Sequence, residues 1–139
     1  MAITIDASAV AAWLLPDEAS AAADDLYARA LHGNELFQAP ALFAWETGNL
    51  LNMARRRGRI TVTQANSALR LLARARVTLE TGPALERMEA TIELARRNEL
   101  SVYDASYLEQ ALRTGAQLAT KDMHLRRSAL KAGVSCLDI

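Results

Sequence analysis

Short apolar segments with strand-forming residues alternate with longer helical segments along this chain. The first segment begins at Ala2, carries the β-branched residues Ile3 and Ile5, and runs without a turn into a helical segment at residues 7–15. Because parallel strands are joined by crossovers that are usually helices, this alternation predicts a mostly parallel sheet. We therefore expect an α/β fold, a three-layer α/β/α sandwich with about five strands.

The boundaries of the other elements follow from apolar periodicity and from turn residues such as Pro16, Gly33, Gly58 and the Gly82-Pro83 pair. Further strands are predicted at residues 35–39, 77–79, 117–120 and 134–137. Further helices are predicted at residues 17–31, 40–57, 63–74, 84–97, 102–113 and 123–131.

Length and composition restrict the class of protein. A chain of 139 residues has the size of one ordinary domain, so we expect a single domain over residues 1–139. Lys plus Arg and Asp plus Glu balance at 16 each, which gives no overall attraction to a polyanion or a membrane. Cys136 is the single cysteine, and no apolar run approaches the roughly 18 residues that a membrane helix needs. We therefore expect a cytoplasmic protein without a membrane segment.

Two acids stand at the ends of predicted strands. Asp6 follows the first strand and Asp122 follows the strand at residues 117–120, in each case just before a helix. Ligands of parallel α/β sheets bind at the carboxyl ends of the strands. Asp is also a common N-cap, and helix capping alone explains each of these positions.

Glu46 lies among apolar residues in the predicted helix at residues 40–57. At 100° per residue it falls within a stripe that contains Leu42, Phe43, Asn49, Leu50 and Met53. Burying an unpaired carboxylate costs several kcal/mol, so such a group is usually protonated, paired with a base or bound to a metal. A buried ion pair with an arginine explains Glu46 equally well.

Asp104 repeats this pattern on another helix. Ser101 and Asp104 have the spacing of a capping box, in which Ser101 caps the helix and Asp104 reaches back to it. Asp104 also aligns with Leu108, Ala111 and Leu112, the apolar face of that helix. This position predicts a carboxylate that faces the interior.

One hypothesis explains all four acids together. Carboxylates gathered within a few ångströms raise one another's pKa unless a cation neutralises them. An oxygen-only set, without a His or Cys cluster at metal spacing, favours Mg²⁺ or Mn²⁺ over zinc. Such a site suits phosphodiester hydrolysis.

The ordered set of motifs resembles the PIN domain, in the form of a VapC-type toxin. The motifs are the strand that ends in Asp6-Ala7-Ser8, the inward Glu46, the segment Tyr103-Asp104-Ala105-Ser106-Tyr107-Leu108 and the segment Leu118-Ala119-Thr120-Lys121-Asp122. The resemblance implies a Mg²⁺- or Mn²⁺-dependent endoribonuclease. It implies catalytic metal ligands at Asp6, Glu46, Asp104 and Asp122, with Ser8 and Thr120 as hydroxyl supports. It also implies a cognate antitoxin as partner and a homodimer.

An acidic pocket needs cations beside it to bind RNA. The first candidates are Arg55, Arg56, Arg57 and Arg59, followed by Arg126 and Arg127. Cations at a helix C-terminus also complement the helix dipole, which explains Arg55–Arg57 without RNA. Single-stranded or looped RNA is the expected substrate, because its backbone is exposed. His124, close to Asp122, is a candidate for proton transfer and equally a surface residue.

Two other functions fit parts of the pattern. An aspartyl-phosphate phosphatase of the haloacid dehalogenase type would use Asp6 and Lys121, but it needs a second acid where this chain has Ser8. A non-catalytic PIN-like binding module would use the acids only as helix caps, and it would bind neither Mg²⁺ nor Mn²⁺.

Overall fold

The computed structural model describes residues 1–82 and 85–139, and these contain four parallel strands and seven α-helices. The strands are β1 (Ala2–Ile5), β2 (Leu36–Ala39), β3 (Thr78–Leu79) and β4 (Gln117–Ala119). The helices are α1 (Ala7–Leu14), α2 (Ala21–His32), α3 (Leu42–Arg56), α4 (Val62–Arg74), α5 (Leu85–Asn98), α6 (Val102–Thr114) and α7 (Met123–Lys131). Two sequence predictions, the turn at Pro83 and the helix start at Ala84, lie outside the described residues.

The strands form one sheet in the order β3-β2-β1-β4, and all neighbours run parallel. Strand β1 is central, with Ile3 opposite Phe37 of β2 and Gln117 of β4. Its apolar side chains, Ile3 and Ile5, have no exposed surface. The predicted parallel α/β architecture is thus confirmed, and the carboxyl ends of β1 and β4 lie side by side.

The segment at residues 134–137, predicted as a fifth strand, makes only an isolated parallel bridge between Cys136 and Leu118. Leu118 donates its N–H to the Ser135 carbonyl at 2.9 Å, and Leu137 donates to the Leu118 carbonyl at 2.9 Å. Of the three residues of β4, only Leu118 makes this pairing. The segment extends the sheet edge without forming a full strand.

Residues 17–31 do not form the continuous helix that the sequence predicted. Pro16–Glu18 form a separate 3-10 turn, Ala19 is extended, and α2 begins after Ser20, whose hydroxyl accepts the Ala23 N–H at 3.1 Å. The acids Asp17 and Glu18, which were expected to open this helix, form ion pairs with Arg59, and Ser20 caps the helix instead. The predicted capped start of α4 is confirmed, since Thr61 and Gln64 form a complete capping box.

Helices cover both faces of the sheet. Helix α1 packs on α3 and α4, whereas α6 packs on β1 and α5. Thr4 alternates with Ile3 and Ile5 along β1 and points to the α6 face, where its hydroxyl donates to Gln110 Oε1 at 3.1 Å. In the described part of the chain, every helix is too short or too polar to cross a membrane.

Candidate active site

Asp6 follows β1 and caps α1, with its Oδ1 accepting the Ala9 N–H at 3.0 Å. Two hydroxyls donate to the same carboxylate: Ser8 to Oδ1 at 2.7 Å and Thr120 to Oδ2 at 2.5 Å. The residue is 5% exposed. The sequence-based expectation of a helix cap therefore holds, and the two residues expected to support Asp6 contact it directly.

The hydroxyls of Ser8 and Thr120 also fix the loop after β4. Each hydroxyl has one hydrogen, and both hydrogens are used on Asp6. Their oxygens remain free to accept, and they take the backbone N–H groups of Lys121 at 2.8 Å and Asp122 at 3.0 Å. The position of Asp6 and the position of Asp122 are thus set by the same two side chains.

Asp122 caps α7, with its Oδ1 accepting the Leu125 N–H at 3.0 Å. Its Oδ2 has no hydrogen-bond partner within the described residues. Burial raises the pKa of Asp6 to about 6, against the lowering effect of the hydrogen bonds from Thr120, Ser8 and Ala9, and the negative charge of Asp122 adds to the rise. The two strand-end acids therefore lie close enough to interact.

Glu46 is half-buried on α3, at the side of the buried stripe and not in its middle. The buried residues of α3 are Phe43, Thr47, Leu51 and Ala54. The sequence-based stripe placed Asn49 inside, whereas Asn49 is exposed. The difference arises because the core contacts of α3 come from residues about one position later, which turns the buried face away from Glu46 and toward α1 and α4.

Tyr107 donates its phenol hydrogen to Glu46 Oε1 at 2.6 Å. Burial raises the pKa of Glu46, the Tyr107 hydrogen bond opposes the rise, and the charge of Asp104 adds to it. Burial and the neighbouring acids, Glu46 first, raise the pKa of Tyr107, so its phenol stays a hydrogen-bond donor at neutral pH. Oε2 of Glu46 has no partner in the described ranges.

Asp104 lies in the first turn of α6 and is half-buried. Its N–H donates to the Ser101 hydroxyl at 3.0 Å, but within the described residues the bond from the Ser101 N–H that would complete the predicted capping box is missing. Burial and the charge of Asp122 raise the pKa of Asp104, whereas Ser101 and the charge of His124 lower it. The four acids thus form a series in which each acts on the pKa of a neighbour: Asp104 on Glu46, and Asp122 on both Asp104 and Asp6.

None of the four acids forms an ion pair with a residue in the described ranges, which argues against the buried Glu–Arg pair considered for Glu46. No three Asp, Glu, His or Cys side chains of residues 1–82 and 85–139 are close enough to hold a metal ion as they stand. Mg²⁺ commonly keeps several waters and takes only one or two carboxylates. An oxygen-only set with unpartnered oxygens on Glu46 and Asp122 fits that requirement.

Residues 3–131 match the model of the PIN domain family. The chain belongs to this family. Ribonuclease VapC3 of Pyrobaculum aerophilum is 31% identical over 125 residues, which are 90% of this chain and 92% of that protein. The sequence-based resemblance to the PIN domain is thereby confirmed.

Solved structures show the same PIN fold. PAE2754 from Pyrobaculum aerophilum has a TM-score of 0.71 and 27% identity, covering 98% of this chain and 83% of that one. FitAcB from Neisseria gonorrhoeae has a TM-score of 0.63 and 15% identity, covering 98% and 96%. VapBC-1 from nontypeable Haemophilus influenzae has a TM-score of 0.60 and 14% identity, covering 99% and 98%. The last two identities are low, so these likenesses concern the fold alone.

The first group of arginines expected to bind RNA, Arg55–Arg57 and Arg59, lies at and just beyond the C-terminal end of α3, whereas Arg126 and Arg127 lie on α7, whose N-cap is Asp122. Arg55–Arg57 are exposed at the end of α3, and Arg55 lies nine residues, or about 13 Å along the helix axis, beyond Glu46. Arg59 forms ion pairs with Asp17 at 2.8 Å and Glu18 at 3.0 Å. RNA binding by these arginines stays a prediction.

Tyr107 and Gln110 were not singled out from the sequence, although both support the site. Gln38 Nε2 donates to Thr4 Oγ1 at 3.1 Å, Thr4 donates to Gln110, and this buried chain holds α6 against the sheet. The signal was available in part: Tyr107 and Gln110 follow Asp104 at intervals of three residues, which places them along one side of α6.

In the absence of divalent metal, Asp6→Asn is expected to change the free energy of unfolding more favourably at pH 7.5 than at pH 4. The difference between the two pH values is about 2 to 3 kcal/mol. The folded-state pKa of about 6 exceeds the ordinary value of 3.8, so the folded state holds its extra proton between those pH values. Wild-type stability therefore falls as pH rises through this window, and asparagine removes the loss. Urea unfolding in chelator from pH 4 to 8 measures the difference.

The exposed Asp25→Asn is the matched control, and it is expected to show no pH-dependent difference from wild type. If the stability difference between Asp6→Asn and wild type is the same at pH 4 and pH 7.5, Asp6 does not titrate as the structure indicates.

Proposed function

We propose that this protein is a metal-dependent endoribonuclease that hydrolyses phosphodiester bonds of single-stranded or looped RNA, and that it is the toxin of a toxin–antitoxin pair. The observation that carries the proposal is the series of four acids without basic partners at the carboxyl edge of a PIN-domain sheet. The 31% identity to a protein named ribonuclease VapC3 supports the same assignment.

In this proposal, Mg²⁺ or Mn²⁺ would bind among Asp6, Glu46, Asp104 and Asp122, directly to one or two of these carboxylates and to the others through its waters. The bound ion supplies an activated water and stabilises the leaving oxygen of the phosphodiester. The donor chemistry supports this choice, because carboxylate oxygens suit Mg²⁺ and Mn²⁺ and no cysteine lies among the acids.

The protein's own residues prepare the site. Ser8 and Thr120 direct two hydroxyl hydrogens at Asp6, which favours its ionised form against the cost of burial. Tyr107 holds one oxygen of Glu46 and leaves the other open toward the site. The backbone bonds from Lys121 and Asp122 to these hydroxyls keep the loop that carries Asp122 in place.

The partners belong to the same proposal. The resemblance to VapC-type toxins implies a cognate antitoxin that lays a C-terminal segment along the acidic site, and a homodimer. A cationic side chain of that segment would neutralise the acids as a metal does, which makes inhibition and metal binding mutually exclusive. The proposed location of both proteins is the cytoplasm.

The test is cleavage of an end-labelled RNA oligonucleotide with a single-stranded loop. We expect cleavage in Mg²⁺ or Mn²⁺, none in chelator, and recovery when metal is restored, whereas the duplex part of the same RNA stays intact. Equal cleavage in metal and in chelator would contradict the proposal. Calorimetry that detects no Mg²⁺ or Mn²⁺ binding to the folded protein would favour the non-catalytic module instead.

A further inference from the structure

A groove of about 460 Å³ separates the end of α5 from one side of α7. Four cations and His124 line it, together with a single acid, Glu99. We call it the basic groove and define it by Arg96, Arg97, His124, Arg127 and Lys131. It lies outside the four-acid site and contains none of Arg55–Arg57 or Arg59.

The basic groove results from a regular pattern on α7. His124, Arg127, Ser128 and Lys131 follow the spacing i, i+3, i+4 and i+7, so they share one side of the helix. Asp122 caps the same helix, so the row starts beside the site at His124 and leads away from it along the helix. Lys131 lies nine residues beyond Asp122, about 13 Å along the axis.

The two α7 cations that line the groove, Arg127 and Lys131, are not neutralised by acids in the described ranges. Arg127 and Lys131 form no ion pair with any residue in the described ranges, whereas Arg96 and Arg97 share Glu93 at 2.6 and 2.8 Å. Arg126, which points to the other side of α7, is held by Asp138 at 3.0 Å and the Leu137 carbonyl at 2.8 Å. The basic groove therefore keeps an excess of positive charge.

His124 joins the two walls of the groove. Its Nε2 lies 2.8 Å from the Asn98 carbonyl oxygen, and because a carbonyl only accepts, Nε2 carries the hydrogen and donates. His124 lies two positions after Asp122, so the groove begins in the first turn of the helix that this acid caps.

We propose that the basic groove binds phosphates of the RNA strand next to the bond that is cut. The inference rests on the proposed endoribonuclease function and adds the path of its substrate. A polyanion is repelled by four carboxylates, and a neighbouring row of exposed cations offsets that repulsion and guides the strand. Lys131 and Arg127 supply such contacts without reading base sequence.

The test compares two pairs of charge-removing substitutions with the same spacing. Arg127→Gln with Lys131→Gln removes the unpaired cations of the groove, and Arg70→Gln with Arg74→Gln removes two exposed cations of α4 as a matched control. Binding of a fluorescent single-stranded RNA is measured in chelator over a range of salt concentrations. Cleavage by the wild-type protein in Mg²⁺ is measured separately.

We expect the groove pair, Arg127→Gln with Lys131→Gln, to weaken RNA binding about tenfold. The magnitude of the slope of log affinity against log salt should fall by about 1.4, because two phosphate contacts are lost and each contributes about 0.7. The α4 pair is expected to stay within about twofold of wild type, since neither residue lines the groove. The variant Arg127→Lys with Lys131→Arg keeps both positive charges and should bind RNA like the wild type.

Equal affinity and salt slope in wild type and groove pair would overturn the inference, as would an equal loss in the α4 pair. If the wild type still cleaves RNA in that case, the proposed function stands and only the groove assignment fails; if the wild type neither binds nor cleaves RNA, both fail. Binding of a hexaglutamate peptide is measured on the same variants. If the groove pair loses peptide binding but still binds RNA like the wild type, the groove takes an acidic protein and the RNA path is overturned.

If the groove pair does not fold, the single variant Lys131→Glu is compared with the wild type in the same RNA-binding measurement.

Discussion

Replacing Asp104 with asparagine is expected to reduce metal-dependent RNA cleavage about 10³-fold. The substitution preserves side-chain shape but removes one negative charge from the series formed by Glu46, Asp104 and Asp122. A ligand that supports several kcal/mol of transition-state stabilisation corresponds to a change of this size. Single-turnover cleavage of the labelled RNA in Mg²⁺ measures the rate, and calorimetry on the same samples measures Mg²⁺ affinity.

The control for Asp104→Asn is Asp25→Asn, the same chemical change at an exposed position of α2. It is expected to leave both cleavage and Mg²⁺ binding at the wild-type level, and it also controls for a contaminating nuclease. Wild-type cleavage by Asp104→Asn would show that Asp104 is not a ligand and that the site is built from the other three acids.

Thr120→Val is expected to lower the cleavage rate 10- to 100-fold, roughly the cost of losing a group that orients a metal ligand. Valine has nearly the same shape but leaves Asp6 Oδ2 and the Asp122 N–H without the Thr120 hydroxyl. The free energy of unfolding should fall by about 1 to 3 kcal/mol, because the buried Asp6 carboxylate and the partly buried Asp122 N–H each lose a hydrogen bond.

Thr120→Ser keeps the hydroxyl and is expected to recover most of the activity and stability, whereas the exposed Thr63→Val should change neither. Cleavage kinetics and urea unfolding of the three variants separate the effects. If Thr120→Val loses stability but cleaves RNA at the wild-type rate, the Thr120 hydroxyl serves the fold alone.

The placement of the strand-end acids follows from topology that the sequence reveals. The pattern of strands and helical crossovers predicts a parallel sheet, and a parallel sheet brings the residues after its strands to one edge. Asp6 and Asp122 therefore meet although they are 116 positions apart in the chain. The contacts of Ser8 and Thr120 with Asp6 follow from the same geometry.

The positions of helix side chains were predicted less well, because they depend on how each helix is rotated against its neighbours. Glu46 was placed in the middle of an apolar stripe, but α3 buries Phe43, Thr47, Leu51 and Ala54 instead. Apolar periodicity cannot tell two overlapping stripes apart when residues on both are apolar. The partner of Glu46 was missed for the same reason.

Polar contacts between residues far apart in the chain could not be predicted from the sequence either. The ion pairs of Arg59 with Asp17 and Glu18 span more than 40 positions, so no local pattern reveals that this arginine is occupied. The basic groove is a similar case. One wall has a visible helical spacing, but the opposite wall comes from the end of α5, which only the folded chain brings close.

The hydrogen bond between Asp6 and Thr120 joins residues 114 positions apart. During protein synthesis at about 5 to 20 residues per second, the first strand therefore waits roughly 6 to 23 seconds for the residue that fixes its carboxylate. A nascent chain has no assembled site until most of its length has been translated. Truncated products that lack the last fifth of the protein should consequently be inactive in the RNA cleavage assay, because they contain neither Thr120 nor Asp122.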